Sequence, residues 1–107
     1  RFYKYMGKIF GSRLIQNQTN DRIYDDNNKL WYIALEEDLV VAFVSVSNDI
    51  IKNVYGTKEE ALKKILKEVK KENRIKDSTV TVLYENVYKE AGYKVIKDIY
   101  KNFVLIA

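Results

Sequence analysis

The chain of 107 residues contains no cysteine and no histidine. Thiol nucleophiles, disulfides, imidazole bases and the usual zinc ligand sets are therefore excluded, and with them cysteine proteases, serine triads and zinc deaminases in their common forms. The chemistry that remains belongs to backbone amides, tyrosines, carboxylates and lysines. Nine tyrosines, 15 acids and 19 bases supply it. No metal site is expected from such a set.

Two stretches gather these groups. The first, "NVYGTKEEALKKIL" (53–66), reads as a strand end, a turn at Gly56 and a helix start. Amides at a helix start point outward at the positive end of the dipole, so such a junction can hold a phosphate. Thr57 followed by Glu60 is also a capping box, which would occupy those amides. Glu59 and Glu60 put two carboxylates where a phosphate would bind, at a cost on the order of 1 kcal/mol each for groups within about 5 Å. The second stretch, "QNQTNDRIYDDNNK" (16–29), is polar and turn-rich, with a short "RIY" that could form a strand. Its Asp21, Asp25 and Asp26 form either a solvated acidic loop or an attractor for a cationic amine. Glu36, Glu37 and Asp38 are more simply a hairpin turn.

Charge is distributed unevenly. Residues 1–15 carry Arg1, Lys4, Lys8 and Arg13 with no acid; 21–49 are acidic; 50–76 carry nine Lys or Arg against four Glu. A sequence pI near 9.2 permits nucleic-acid binding, but no recognised nucleic-acid motif is present, and the lysines of 58–76 read as a solvated helix face. No apolar run is long enough to span a membrane and no signal-peptide centre is visible, so a cytoplasmic protein is expected. Abundant Lys, Ile, Asn and Tyr without proline match an AT-rich genome, such as that of a low-GC bacterium or its phage.

The elements that must position these groups follow from periodicity. Phe2, Met6, Ile9, Phe10 and Leu14 recur at helical steps, predicting one amphipathic helix over 2–15 that covers a sheet or, through its basic face, docks elsewhere. Gly7 and Gly11 weaken it unless another element packs closely there. "LWYIAL" (30–35), "LVVAFVSVS" (39–47) and "IIKNVY" (50–55) are strands joined at "EED" and "ND". A helix runs from the Thr57 cap to residue 72, with Leu62, Ile65, Leu66 and Val69 in one stripe. "STVTVLYEN" (78–86) is a strand, "VYKEAGY" (87–93) a helical turn stopped by Gly92, and the remainder one long strand or a hairpin. One domain over 1–107 is expected. Its class is α/β: a central, mostly antiparallel sheet with one parallel β-α-β crossover, packed by the N-terminal helix and the long central helix.

This order and these motifs resemble the GNAT acyl-CoA N-acetyltransferase superfamily over roughly residues 30–107. "YIALEEDLVVAFVSV" resembles the family's hairpin, with Ala42 where Gly is usual, and "IIKNVY" resembles the splayed strand that pairs with pantetheine. The helix after Thr57 resembles the one that receives the pyrophosphate. "VYKEAGYKV" is similar to the family's "lYeklGFkv", giving Tyr88, Gly92 and Tyr93 counterparts. The loop [RQ]-x-x-G-x-[GA] is not kept: in one register Val54, Thr57 and Glu59 stand on its three fixed positions, and shifting by one recovers only Gly56. Only two positions separate Asn86 from Tyr88, where the family places most of a helix.

The resemblance implies acetyl-CoA as cofactor, held by Ile51, Asn53, Val54, Tyr55, Gly56, Thr57 and Lys58, and transfer to a primary amine of a small molecule or protein. It implies Tyr88 as the acid for the leaving thiolate and, in the acidic loop, Asp25 and Asp26 as acceptor-binding residues. The alternative is a GNAT-shaped domain without catalysis, binding a protein partner through its basic N-terminal helix or a sheet edge.

Overall fold

The computed structural model describes residues 2–25 and 28–107. Three strands follow one another as a meander: β1 (Leu30–Glu36), β2 (Leu39–Ser47) and β3 (Ile50–Gly56). The connections are two-residue turns in which both residues have positive φ, Glu37 and Asp38 at 50° and 65°, Asn48 and Asp49 at 52° and 64°. That is the turn whose twist matches paired antiparallel strands. β2 is the central strand, and its alternating residues separate two differently filled faces. Ala42, Val44 and Val46 face the helix α3 (Glu59–Glu72), whose Leu62, Ile65, Leu66 and Val69 form the buried stripe that the sequence predicts. Phe43, with Trp31, Ile33 and Tyr55, faces the N-terminal helices.

The N-terminal segment is two helices rather than one: α1 (Phe2–Phe10) and α2 (Arg13–Thr19). Ser12 makes the break. Its amide donates to the Ile9 carbonyl and its hydroxyl accepts from the Ile15 amide, so it ends one helix and caps the next. No atom lies within 4 Å of a Cβ built on Gly7 or Gly11, so close packing is not the reason for either glycine. "RIY" is not a strand, although Ile23 is buried against Phe43 and Met6.

After α3 the chain forms β4 (Ser78–Thr81), a 3-10 turn (Val82–Tyr84), α4 (Glu85–Glu90), β5 (Val95–Tyr100) and β6 (Phe103–Ile106). The strand expected over 78–86 ends at Thr81 because the Thr81 hydroxyl accepts from the Leu83 amide and turns the chain into the 3-10 turn. Gly92 stops α4 with φ 93°, as its position in the sequence predicts. The C-terminal segment is a hairpin, and β6 lies between β4 and β5.

The fold is mixed α/β, but the single sheet with a parallel ladder is not what forms. Two three-stranded sheets are present, and every described ladder is antiparallel. β3 and β4 meet only at their starts. The Lys76 amide donates to the Asp49 carbonyl at 2.7 Å, and the Ile51 amide donates to the Ser78 hydroxyl at 2.9 Å, a side chain replacing the carbonyl that a ladder would need. An irregularity in the β2–β3 register at Lys52 lies beside this seam. α3 and α4 cover it, and the core runs on through Val80, Val104 and Ile106. Among the described residues no helix is long and apolar enough to cross a membrane.

Candidate functional site

Beyond their shared start the two sheets diverge, and an open cleft of about 580 Å³ lies at the far end of β3. Tyr55, Gly56, Thr57 and Glu59 form one wall; Leu83 and Tyr84, from the 3-10 turn after β4, and Gln18 of α2 complete it. Three of the residues expected to hold a cofactor are thus brought together. Gly56 is required by close approach: a Cβ there would stand 3.0 Å from the Leu62 Cβ, so glycine lets the first turn of α3 close on the strand end.

The helix start does not form the capping box. Thr57 turns both its amide and its hydroxyl to the Val41 carbonyl, at 2.8 and 3.3 Å, continuing the edge of β2. Lys58 therefore holds the N-cap position, and its side chain makes no cap hydrogen bond. The first amide to find a helical partner is that of Leu62, bonded to the Lys58 carbonyl. The amides of Glu59, Glu60 and Ala61 have no acceptor among the described residues, which gives the cleft a set of unused donors at a dipole end.

Charge works against an anion there. Glu59 is the charged residue of the cleft wall, while Lys58 pairs with Glu36 at 3.5 Å and Lys63 with Glu60 at 3.1 Å. Both pairs are largely exposed at their carboxylates and contribute little to stability.

The other expected site residues lie elsewhere. Ile51 and Val54 are buried in the core, and the Ile51 amide already has the Ser78 hydroxyl. Lys58 points to Glu36. Asn53 is buried on the face opposite α3, in a polar network rather than on the cleft. Tyr88, expected as the acid, is fully buried, and its hydroxyl donates to the Thr81 carbonyl at 2.7 Å. Burial, with smaller contributions from Tyr84 and Asp21, pushes its pKa well above 10.0. The helical turn aims it inward because Val87 and Tyr88 are the apolar side of α4.

Tyr84 is the tyrosine on the cleft wall. Burial raises its pKa, a backbone hydrogen bond from Gly56 opposes the shift, and Tyr55 adds to it. Nothing in the sequence distinguishes Tyr84 from its neighbours, because a strand through 86 would have placed it in the sheet. Asp25 accepts from Trp31 Nε1 at 2.9 Å and from the Tyr3 hydroxyl at 2.6 Å, tying the loop to α1 and β1 away from the cleft. Asp26 lies outside the described residues.

A second cavity, of about 310 Å³, lies on the same face of β3, nearer the start of the strand, between Asp21, Arg22, Tyr24 and Lys29 of the loop and Ser47, Lys52 and Asn53 of the sheet. Asp21 is its carboxylate. Burial raises its pKa, against hydrogen bonds from Asn53 and the Arg22 backbone and the charge of Lys29. No group of three metal-ligating side chains occurs among the described residues. Comparison with family models, with curated proteins and with solved structures finds no match to this chain.

Proposed function

We propose that the chain is a reduced GNAT-type N-acetyltransferase that moves an acetyl group from acetyl-CoA to a primary amine. In this reading β3, α3 and β4 are a parallel crossover whose strands part to admit a pantetheine arm. One observation carries it: the helix start that opens on the cleft is uncapped, so the amides of residues 59–61 are available to phosphate oxygens.

Acetyl-CoA supplies an acetyl group activated as a thioester. The chain has to bind and orient it, bring an uncharged amine to the carbonyl carbon, and hold a proton for the departing sulfur. Tyr84 is the residue placed for that last task, since its hydroxyl stands at the cleft wall while that of Tyr88 is bonded to Thr81. Glu59 opposes phosphate binding. Its removal gives the test: isothermal titration should show acetyl-CoA bound by the native chain and about fivefold more tightly by Glu59→Gln, the equivalent of roughly 1 kcal/mol of Coulomb repulsion. Absence of heat from both proteins at high micromolar acetyl-CoA overturns acetyl transfer.

The second reading is a non-catalytic domain of the same shape that docks a protein through α1 or the edge of β1. The buried Tyr88 hydroxyl and the carboxylate on the cleft wall favour it. In that case Tyr84→Phe leaves its biological effect unchanged, whereas a loss of the effect in a folded Tyr84→Phe protein counts against it.

A further inference from the structure

The smaller cavity has a built floor. Asn53 is 2% exposed, and its amide is fully committed. Its Oδ1 accepts from Ser45 Oγ at 2.7 Å and Lys29 Nζ at 2.9 Å; its Nδ2 donates to Asp21 Oδ2 at 2.9 Å and the Arg22 carbonyl at 3.3 Å. Lys29 is held further by the Tyr24 carbonyl at 2.8 Å and by the face of the Tyr24 ring. This lysine is therefore fixed structure and neutralises the floor.

Asp21 is different. A carboxylate accepts about four hydrogen bonds, and Asn53 with the Arg22 backbone accounts for two. It forms no ion pair among the described residues, although it is half-buried. At the rim, Arg22 and Lys52 are exposed and likewise have no ion-pair partner among the described residues. One under-used carboxylate below and two unpaired cations above define a field with a negative floor and a positive mouth. A volume of about 310 Å³ suits a single small molecule and not a polymer.

We propose that this cavity binds a free α-amino acid, its ammonium group on Asp21 and its carboxylate between Arg22 and Lys52. A simple cationic amine fits worse, because both rim charges repel it. A simple anion fits worse at the floor. The cavity also lies beside the larger cleft: Asn53 and Tyr55 are two residues apart on one face of β3, about 7 Å, and the end of α2 sends Gln18 to the cleft and is followed by Asp21 in the cavity. The amino group of the bound molecule thus lies toward the acyl donor. Its role as acceptor rests on the acetyl-transfer reading; the binding does not.

The test is calorimetry without any acyl donor, titrating the proteinogenic α-amino acids one at a time up to about 10 mM, a range that covers affinities near −4 kcal/mol and tighter. At least one should saturate, and its methyl ester and the matching α-hydroxy acid should each bind at least tenfold more weakly. Arg22→Gln and Lys52→Gln should each weaken binding several-fold with Tm unchanged, since both side chains are exposed. Failure of every amino acid to saturate overturns the proposal, as does an ester that binds as well as the acid, or binding that neither substitution alters. Amino-acid binding with no heat from acetyl-CoA removes acetyl transfer and leaves this site; heat from acetyl-CoA without amino-acid binding removes this site alone.

Discussion

The two faces of the β2–β3 hairpin are filled in opposite ways. Toward α3 the strands present Ala42, Val44, Val46, Ile51 and Val54, all apolar and buried. Toward α1 and α2 they present Phe43 and Tyr55, stacked at 5.3 Å, and then Ser45, Ser47 and Asn53, which are buried and polar. An apolar face needs only volume and shape, so it can be closed by any helix with a matching stripe. A buried polar face needs a partner for every donor and acceptor, so it is specified residue by residue. Both cavities proposed as functional lie on or beside the second face, and the first serves as the rigid support behind it.

That contrast can be broken from either side. The largest effect is expected on the apolar face: Leu66→Ala empties a fully buried position under α3 and should cost about 3 kcal/mol in denaturant unfolding, with both cavities still formed in the surviving fold. On the polar face, Asn53→Leu keeps the volume but removes the partners of Ser45 and Asp21. A loss of about 2 kcal/mol is expected; a neutral or stabilising result would mean that the network adds nothing to the fold.

Away from both faces, Gly7→Ala should stabilise by about 0.7 kcal/mol, because Gly7 sits inside α1 with open space at its Cβ position. A lower Tm for that variant would reveal a constraint on α1 that the packing does not show.

The finest test is one of sign. Asp21 has a raised pKa, so the native state holds its proton more tightly than the unfolded chain does. Its contribution to stability is therefore fully present below the ordinary value of 3.8 and is lost as pH rises through the raised native value. Asp21→Asn does not titrate, so its Tm relative to the native chain should climb as pH rises through that window. A flat or falling difference would show that Asp21 is not desolvated where it lies.

How much of this was legible depends on the range of the forces involved. Both hairpin turns, β2, the α3 stripe and the Gly92 stop could be read directly, since each depends on residues within a few positions of one another. Thr57 shows the limit. Its local pattern with Glu60 spells a capping box, yet the carbonyl of Val41, 16 residues away, competes for the hydroxyl and wins. Ser12 shows the converse: a strong local cap inside an apolar periodicity that runs on past it. Tyr84 and Tyr88 exchanged expected places because the strand stopped three residues before Tyr84, and that stop depends on one threonine hydroxyl.

By itself, the sequence determined which chemistries are excluded, the succession of elements and the stripe that α3 buries. These follow from residue type and local spacing, and no distant contact alters them. Only the tertiary structure decided that the sheet divides at β3 and β4, that the start of α3 is left uncapped beside a cleft, and that Asp21, Asn53 and Lys29 meet. Each of those outcomes is a competition for a hydrogen-bond partner between groups far apart in the chain, and such competitions are resolved only when folding brings the candidates into contact.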